Sequence, residues 1–416
     1  MRSFCLALAA ALLLSAAAPP SGLLQQAQAR KAAGDAAGAL LLFEKAAQAA
    51  PNDAILRDEI GFLNAVLGRQ PVAIENFRQA ITLRADYAPA HYHLAVALWL
   101  SQDRASAIAS LREAVLLDPR SAEYRFRLGT MFYESGNDAE ALIHAKAGLK
   151  LAPGRSELWN LSALAAQRQG DLPAARAGFQ RAVTLKPADD SYRNSLGFVL
   201  LDLGLAPEAL AQFQQILKRD PANKMAQINV GYTLLHSGDY DKAVQQFRDL
   251  ATRFPAEAVI HYDLGLALKQ KDLLDEAKQS FHQALRLDPD MVEAYYTLGI
   301  TCWQQGDAVA TIEAMRNAVT RRPAYAEAHY MLGTALKQNG EPEPAATALE
   351  EAIRLNPETP GPFNALAQIR QQQGDRATAK KLFDQAATVK KKLEAAQAKR
   401  LGTMAPENAM PAAPRR

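Results

Sequence analysis

Residues 258–289 read AVIHYDLGLALKQKDLLDEAKQSFHQALRLDP, and this stretch decides the fold. A large apolar residue and a glycine stand together at Leu264-Gly265. A small residue, Ala277, and a large one, Phe281, follow at helical spacing from each other, and Pro289 closes the stretch. Spacing of this kind describes two amphipathic helices whose small residues let them approach closely. A larger side chain at such a contact typically costs about 1–3 kcal/mol.

The same arrangement recurs on both sides of that stretch. Pro51, Pro119, Pro153, Pro187, Pro221, Pro255, Pro289, Pro323 and Pro357 follow one another at a constant step of 34, except for one double step in which Ala85 holds the expected place. A sustained period of this length signals a repeat architecture. Eleven units of that period begin at 20, 54, 88, 122, 156, 190, 224, 258, 292, 326 and 360. The eighth position is Gly or Ala in every unit, and the twentieth is Ala in all but one, which has Thr311. Leu recurs at the seventh position and Phe at the twenty-fourth, from Phe43 to Phe383.

Punctuation follows the same period. Gly34-Asp35, Gly170-Asp171, Gly238-Asp239, Gly306-Asp307 and Gly374-Asp375 fall mid-unit, where glycine ends one helix and aspartate caps the next. Pro71, Pro173 and Pro207 suit the start of a second helix, which needs no N–H there. Thr359-Pro360 reads as a cap and a first-turn proline opening the last unit.

The pattern resembles the tetratricopeptide repeat, over roughly nine tenths of the chain. The resemblance implies an all-α fold, a right-handed α-solenoid of about eleven helix–turn–helix repeats. First helices would line the concave face and second helices the convex one. The last unit has Lys391 at the proline position, so its second helix is expected to run on over 394–401 as an extended capping helix. Its many lysines and arginines suit the polar cap that such arrays require. They also make it, with the N-terminal segment, the candidate contact for an anionic membrane or an acidic partner. Residues 402–416, rich in Pro and Ala, read as a disordered tail.

At the N-terminus, Met1-Arg2 precedes an apolar run from Phe4 to Ala18, and then small residues and prolines. This describes a secretory signal peptide over 1–19. The run is shorter than the ~20 residues of a spanning helix, and an uncleaved anchor is the alternative reading. The expected location is outside the cytoplasm, in the periplasm of a bacterium, as the alanine-rich leader suggests.

Charge and chemistry exclude several classes of function. With 47 basic and 44 acidic residues the net charge is +3, without the dense basic face that nucleic-acid binding needs. Two cysteines, Cys5 and Cys302, build neither a disulfide framework nor a metal site. No phosphate-cradling loop, HExxH or GxSxG occurs, so the sequence offers no catalytic residues and implies no cofactor or metal. His91, His261 and His329 fall at the fourth position and read as packing residues.

Function is therefore sought on the concave face, where the resemblance places the residues that contact a bound polypeptide. The fifth position carries Tyr92, Phe126, Tyr262, Tyr296 and Tyr330, with Asn160, Asn194 and Asn364 between them. The ninth carries Phe62, Val96, Leu164, Phe198, Tyr232, Leu266 and Ile300; the twelfth carries Trp99, Tyr133, Leu201, Leu235 and Trp303. Asn229 stands at the sixth. A continuous stripe of this kind marks an interaction site, with aromatic anchors and asparagines that bond a guest backbone. Aromatic rings at these positions equally pack neighbouring first helices against each other. The carboxylate clamp of chaperone-binding relatives is not formed, since no unit has lysine at the fifth position and Arg127 and Asn229 stand apart. The expected function is a non-enzymatic scaffold or chaperone-like adaptor for polypeptide segments, with a self-associating assembly protein as the alternative.

Overall fold

The computed structural model describes residues 21–403. The leader expected at 1–19 lies outside them. So does the tail expected at 402–416, except Gly402 and Thr403, which close the last helix instead of leaving it. Among the described residues there are 22 helices and no strand.

The chain divides between Gln212 and Phe213 into two compact units, each described by itself. The first holds α1 (Ser21–Ala32), α2 (Ala36–Ala49), α3 (Ala54–Val66), α4 (Gln70–Leu83), α5 (Ala88–Leu100), α6 (Arg104–Leu117), α7 (Ala122–Glu134), α8 (Asp138–Leu151), α9 (Ser156–Arg168), α10 (Leu172–Leu185) and α11 (Asp190–Asp202). The division falls inside α12 (Ala206–Arg219). The second unit holds α13 (Lys224–His236), α14 (Tyr240–Arg253), α15 (Ala258–Gln270), α16 (Leu274–Leu287), α17 (Val292–Gln304), α18 (Ala308–Arg321), α19 (Ala326–Gln338), α20 (Pro342–Leu355), α21 (Pro360–Gln372) and α22 (Arg376–Thr403).

Odd-numbered helices are the first members of their pairs and even-numbered ones the second. From α1 to α10 and from α13 to α22, each first helix packs on its own second helix, and each second helix on the next first helix. Within each unit successive first helices also touch, as α3 with α5, α7 with α9, α13 with α15, α17 with α19 and α19 with α21. Among the described residues, second helices do not approach one another to that degree, so the first helices carry the inner face of each unit.

The small-to-large pairing of the sequence is what closes each pair. A Cβ on Gly265 would come within 2.5 Å of the Phe281 ring, and one on Gly61 or Gly231 within 2.6 or 2.7 Å of Phe77 or Phe247. Met315 takes the place of Phe over Gly299, and Leu349 over Gly333. The exceptional Thr311 is buried, with its hydroxyl donating to the Asp307 carbonyl at 2.7 Å, so the added polar group is satisfied. Phe383, on the last described helix, is only half-buried.

Turns between paired helices place residue fifteen of the repeat at positive φ. Glycine holds nine such places, from Gly34 to Gly374, and Gln102 (φ 65°) and Asp272 (φ 61°) hold the other two. Asp35, Asp103, Asp171, Asp307 and Asp375 cap their helices as carboxylates accepting a backbone N–H three residues on. Two expected caps are absent: Asp239 holds the Lys242 ammonium at 2.6 Å instead, and Thr359 makes no capping bond. α4 ends at Leu83 although Ala85 replaces the proline, so the break does not depend on that residue. α22 is 28 residues long, twice the usual 14, and ends two residues beyond the expected 401.

Candidate polypeptide-binding face

The inner face is built from the fifth, ninth and twelfth positions of the first helices. In the first unit the side chains expected there are tied to one another. Phe62 is half-buried with the Lys31 ammonium 4.4 Å from its ring centre. Tyr92 stacks on Tyr124 at 5.0 Å and donates its hydroxyl to Glu123 at 3.3 Å. Trp99 donates its indole N–H to Glu134 at 3.1 Å and lies under the Arg104 guanidinium at 3.8 Å. Phe126 and Tyr133 lie beneath Arg155 and Arg168, at 4.5 and 4.4 Å. Val96, Asn160, Leu164, Asn194 and Leu201 are half-buried or nearly so, and Phe198 is exposed at 38%.

Electrostatics knit the same face. Glu123 accepts from Arg127 at 2.8 Å and Arg155 at 2.6 Å. Burial works against its charge, yet these two donors hold its carboxyl below the usual range. Arg127, which stands where a clamp arginine would, is thereby occupied within the chain. Burial, then the neighbouring Glu123, pushes the Tyr92 phenol up. Asp58, buried at the fifth position of α3, accepts from His93 Nδ1 at 2.9 Å, and the His93 ring lies 5.6 Å from both Phe62 and Phe77.

The second unit repeats the register at similar burial but engages fewer of its polar tips. Tyr262 shares a hydrogen bond with Thr297 at 3.3 Å, and its ring lies 5.8 Å from Phe281. Tyr296 meets the Tyr325 ring at 4.9 Å. Tyr296, Ile300, Trp303 and Tyr330 all pack at the edge of one buried cluster while staying half-exposed. Among the described residues, the indole N–H of Trp303 and the hydroxyls of Tyr296 and Tyr330 have no hydrogen-bond partner. Gly361 leaves the space that the Tyr330 hydroxyl occupies, since a Cβ there would sit 2.7 Å from it. Tyr232 and Leu235 are half-buried, with Tyr232 4.3 Å from the His236 ring. Asn229 is 3% exposed, so it faces the core and not a guest, contrary to expectation.

His91, His261 and His329 are structural. Each ring Nε2 lies 2.9–3.0 Å from the carbonyl of Ala85, Pro255 or Pro323, six residues earlier, and ties the inter-repeat turn to the next helix. Among the described residues no group of three or more His, Cys, Asp or Glu side chains could hold a metal, and no helix is long and apolar enough to cross a membrane. Sequence reasoning missed Asp58–His93 and the cations over Phe62, Trp99, Phe126 and Tyr133. A usable signal existed for some: Lys31, Arg155 and Arg168 stand about one period from the ring they cover.

Models of the tetratricopeptide repeat match residues 101–156, 194–258 and 262–326, and a second model of the same repeat matches 303–369, together more than half of the chain. No curated protein sequence matches it. Among solved structures, the chain is similar to MamA, with 26% identity over 40% of this chain and 96% of that one, at a TM-score of 0.39. It is similar to yeast Tom70, with 16% identity over 93% and 96% of the two chains, at 0.48. A tetratricopeptide repeat protein from Parabacteroides merdae gives 16% identity over 64% and 98%, at 0.48. The family matches fall on the helix pairs described above, and the chain belongs to the tetratricopeptide repeat family, as a protein-interaction scaffold.

Proposed function

We propose that this scaffold holds an extended, partly apolar polypeptide segment against the inner face of its first helices, and that the second unit supplies the open part of that surface. One observation carries the reading. Tyr296, Trp303 and Tyr330 present apolar rings together with polar tips that no described residue of the chain engages. Aromatic side chains of this kind anchor interfaces because the ring gains from burial while the tip still needs a partner. A peptide backbone supplies the carbonyl acceptors for those tips and side chains to cover the rings.

The test is co-purification of the full chain from its native cells, with partners identified by mass spectrometry. The control carries Tyr296→Ala and Trp303→Ala and is checked by circular dichroism for retained helix. A polypeptide partner lost only from the control supports the reading. Partners that survive in the folded control would make this face packing surface and shift attention to the second helices and α22.

The site of action we propose is the cell envelope, reached by export. Its support is the basic start, the apolar run from Phe4 to Ala18 and the small residues that follow. Fractionation with N-terminal sequencing of the recovered protein checks it. An intact Met1 on protein confined to the cytoplasmic fraction would overturn it.

A further inference from the structure

We propose that the outer side of the first unit carries a second docking site, where Arg112 and Arg125 take an aspartate or glutamate side chain of a polypeptide whose neighbouring apolar residue rests on Leu116 and Ile143. This site goes beyond the inner-face reading and does not depend on it.

Arg125 stands at the fourth position of its repeat, on α7. In six other repeats the residue at that position is tied to the carbonyl six residues earlier. His91, Trp159, Gln227, His261 and His329 each bring a ring or amide nitrogen within 2.6–3.0 Å of it. Arg193 donates its Nε to the Pro187 carbonyl at 3.3 Å and its Nη1 to Gln212 at 3.2 Å. Arg125 makes neither bond. Its Nε is buried without a hydrogen-bond partner, and its Nη1 lies 3.5 Å from His144 Nδ1, the limit of a hydrogen bond. Arg57 makes no such bond either, but none of its nitrogens is buried without a partner. A buried N–H left without an acceptor carries a cost that an incoming acceptor removes.

A second guanidinium stands close by. The His144 ring is buried and stacks on Phe132 at 5.6 Å, and the Arg112 guanidinium lies 5.2 Å from the centre of the same Phe132 ring. Among the described residues neither Arg112 nor Arg125 has an ion-pair partner. The acid nearest to hand, Glu140, lies 3.7 Å from His144 Nε2 and is not paired with either arginine. Burial, then the charge of Arg125, holds the His144 imidazole below its usual pKa, so the ring adds no lasting charge of its own. Two guanidiniums therefore flank one stacked ring pair with no carboxylate of the chain to hold.

The surroundings indicate what brings the anion. In the second unit the groove between α16 and α18, over α17, has a volume of about 470 Å³, with Arg286 and Glu313 among the residues of its two walls. In the register of the repeat those two places fall, in the first unit, on Leu116 of α6 and Ile143 of α8, to either side of α7. Leu116 is 70% exposed and Ile143 58%, so both are free to be covered. Guanidiniums bind carboxylates in a fixed, forked geometry, and exposed aliphatic side chains beside them favour a segment with an apolar residue next to its acid.

The experiment uses a displayed library of random ten-residue peptides, selected on the immobilised full chain. Every selected peptide is assayed again on Arg112→Gln with Arg125→Gln, and on Leu116→Ser with Ile143→Ser, each first checked by circular dichroism for retained helix. A parallel selection uses Arg112→Glu, a change at an exposed residue. The inference expects one class of peptides with aspartate or glutamate beside an apolar residue. Binding of this class falls by at least about tenfold on the double glutamine variant, falls again on the double serine variant, and the acidic position disappears from selections on Arg112→Glu. A selection with no peptide that needs Arg112 and Arg125, or with such peptides lacking an acidic position, overturns the inference. Acidic peptides that bind the double serine variant as well as the native chain reduce the site to a plain anion contact and overturn its assignment to an acidic–apolar segment.

Discussion

The two units use one register to different ends. In the first, the polar tips and ring faces of the inner stripe are engaged within the chain: Tyr92 and Trp99 by glutamates, Phe126 and Tyr133 by arginines, Asp58 by histidine. In the second, Tyr296, Trp303 and Tyr330 occupy equivalent positions with their polar atoms unengaged among the described residues. Position in the repeat therefore does not separate packing from binding. What separates them is whether the polar end of a side chain already has a partner, because a desolvated polar group without one carries a standing cost that a guest can remove.

The largest effect expected from this contrast is on binding. Tyr296→Ala with Trp303→Ala should weaken a selected peptide that does not need Arg112 and Arg125 by about 100-fold or more, as removal of two aromatic anchors does. The matching pair in the first unit, Tyr92→Ala with Trp99→Ala, should lower the unfolding midpoint and leave affinity within about threefold. Titration calorimetry beside thermal melts reads both. Equal losses of affinity in the two units would erase the distinction.

Next come two substitutions with opposite signs in stability. His93→Ala leaves Asp58 buried and unpaired and should destabilise by about 3 kcal/mol, seen as a lower urea midpoint. Asp263→Asn should stabilise at pH 8, by roughly 1–3 kcal/mol. The sign follows from the carboxyl itself. Its folded pKa of about 7 lies above the ordinary 3.8, so the folded state holds this proton more tightly. Its favourable contribution is complete below about pH 4 and is lost as pH rises through about 7. The difference in stability between Asp263→Asn and wild type should thus grow from pH 4 to pH 8 and then level off. A difference that stays flat across this range would mean that Asp263 is solvated or paired.

The smallest effects sit in the turns, one in each unit. Gln102→Gly and Asp272→Gly relieve a left-handed backbone and should each stabilise by up to about 1 kcal/mol. Gly306→Ala introduces that strain and should destabilise by about 1–2 kcal/mol. Thermal melts decide between these and the reverse order.

The fold was legible because its determinants lie within a single period. Gly265 and Phe281 stand on the two helices of one pair, less than half a period apart, and the sequence shows such small and large partners in unit after unit. The chemistry of the inner face was less legible. Asp58 and His93, or Glu123 and Arg155, are partners 35 and 32 residues apart on different repeats. Periodicity says which way those side chains face, but not which long side chain reaches across to which acid. Asn229 shows the same limit: it stands one residue from the fifth position, and one step round a helix carries its side chain into the core. Asp263 could not be singled out from sequence at all, because its distinguishing property is the burial that neighbouring side chains impose on it.

The most direct measurement is photo-crosslinking from the face itself. Trp303 in one version of the full chain, and Trp99 in another, is replaced by p-benzoylphenylalanine, and each is irradiated with a biotinylated peptide from the selection that does not need Arg112 and Arg125. The account predicts a peptide adduct from position 303 and none above background from position 99. Adducts from position 99 alone, or from neither position with a peptide that binds, would contradict the claim that the open face of the second unit is where the polypeptide lies.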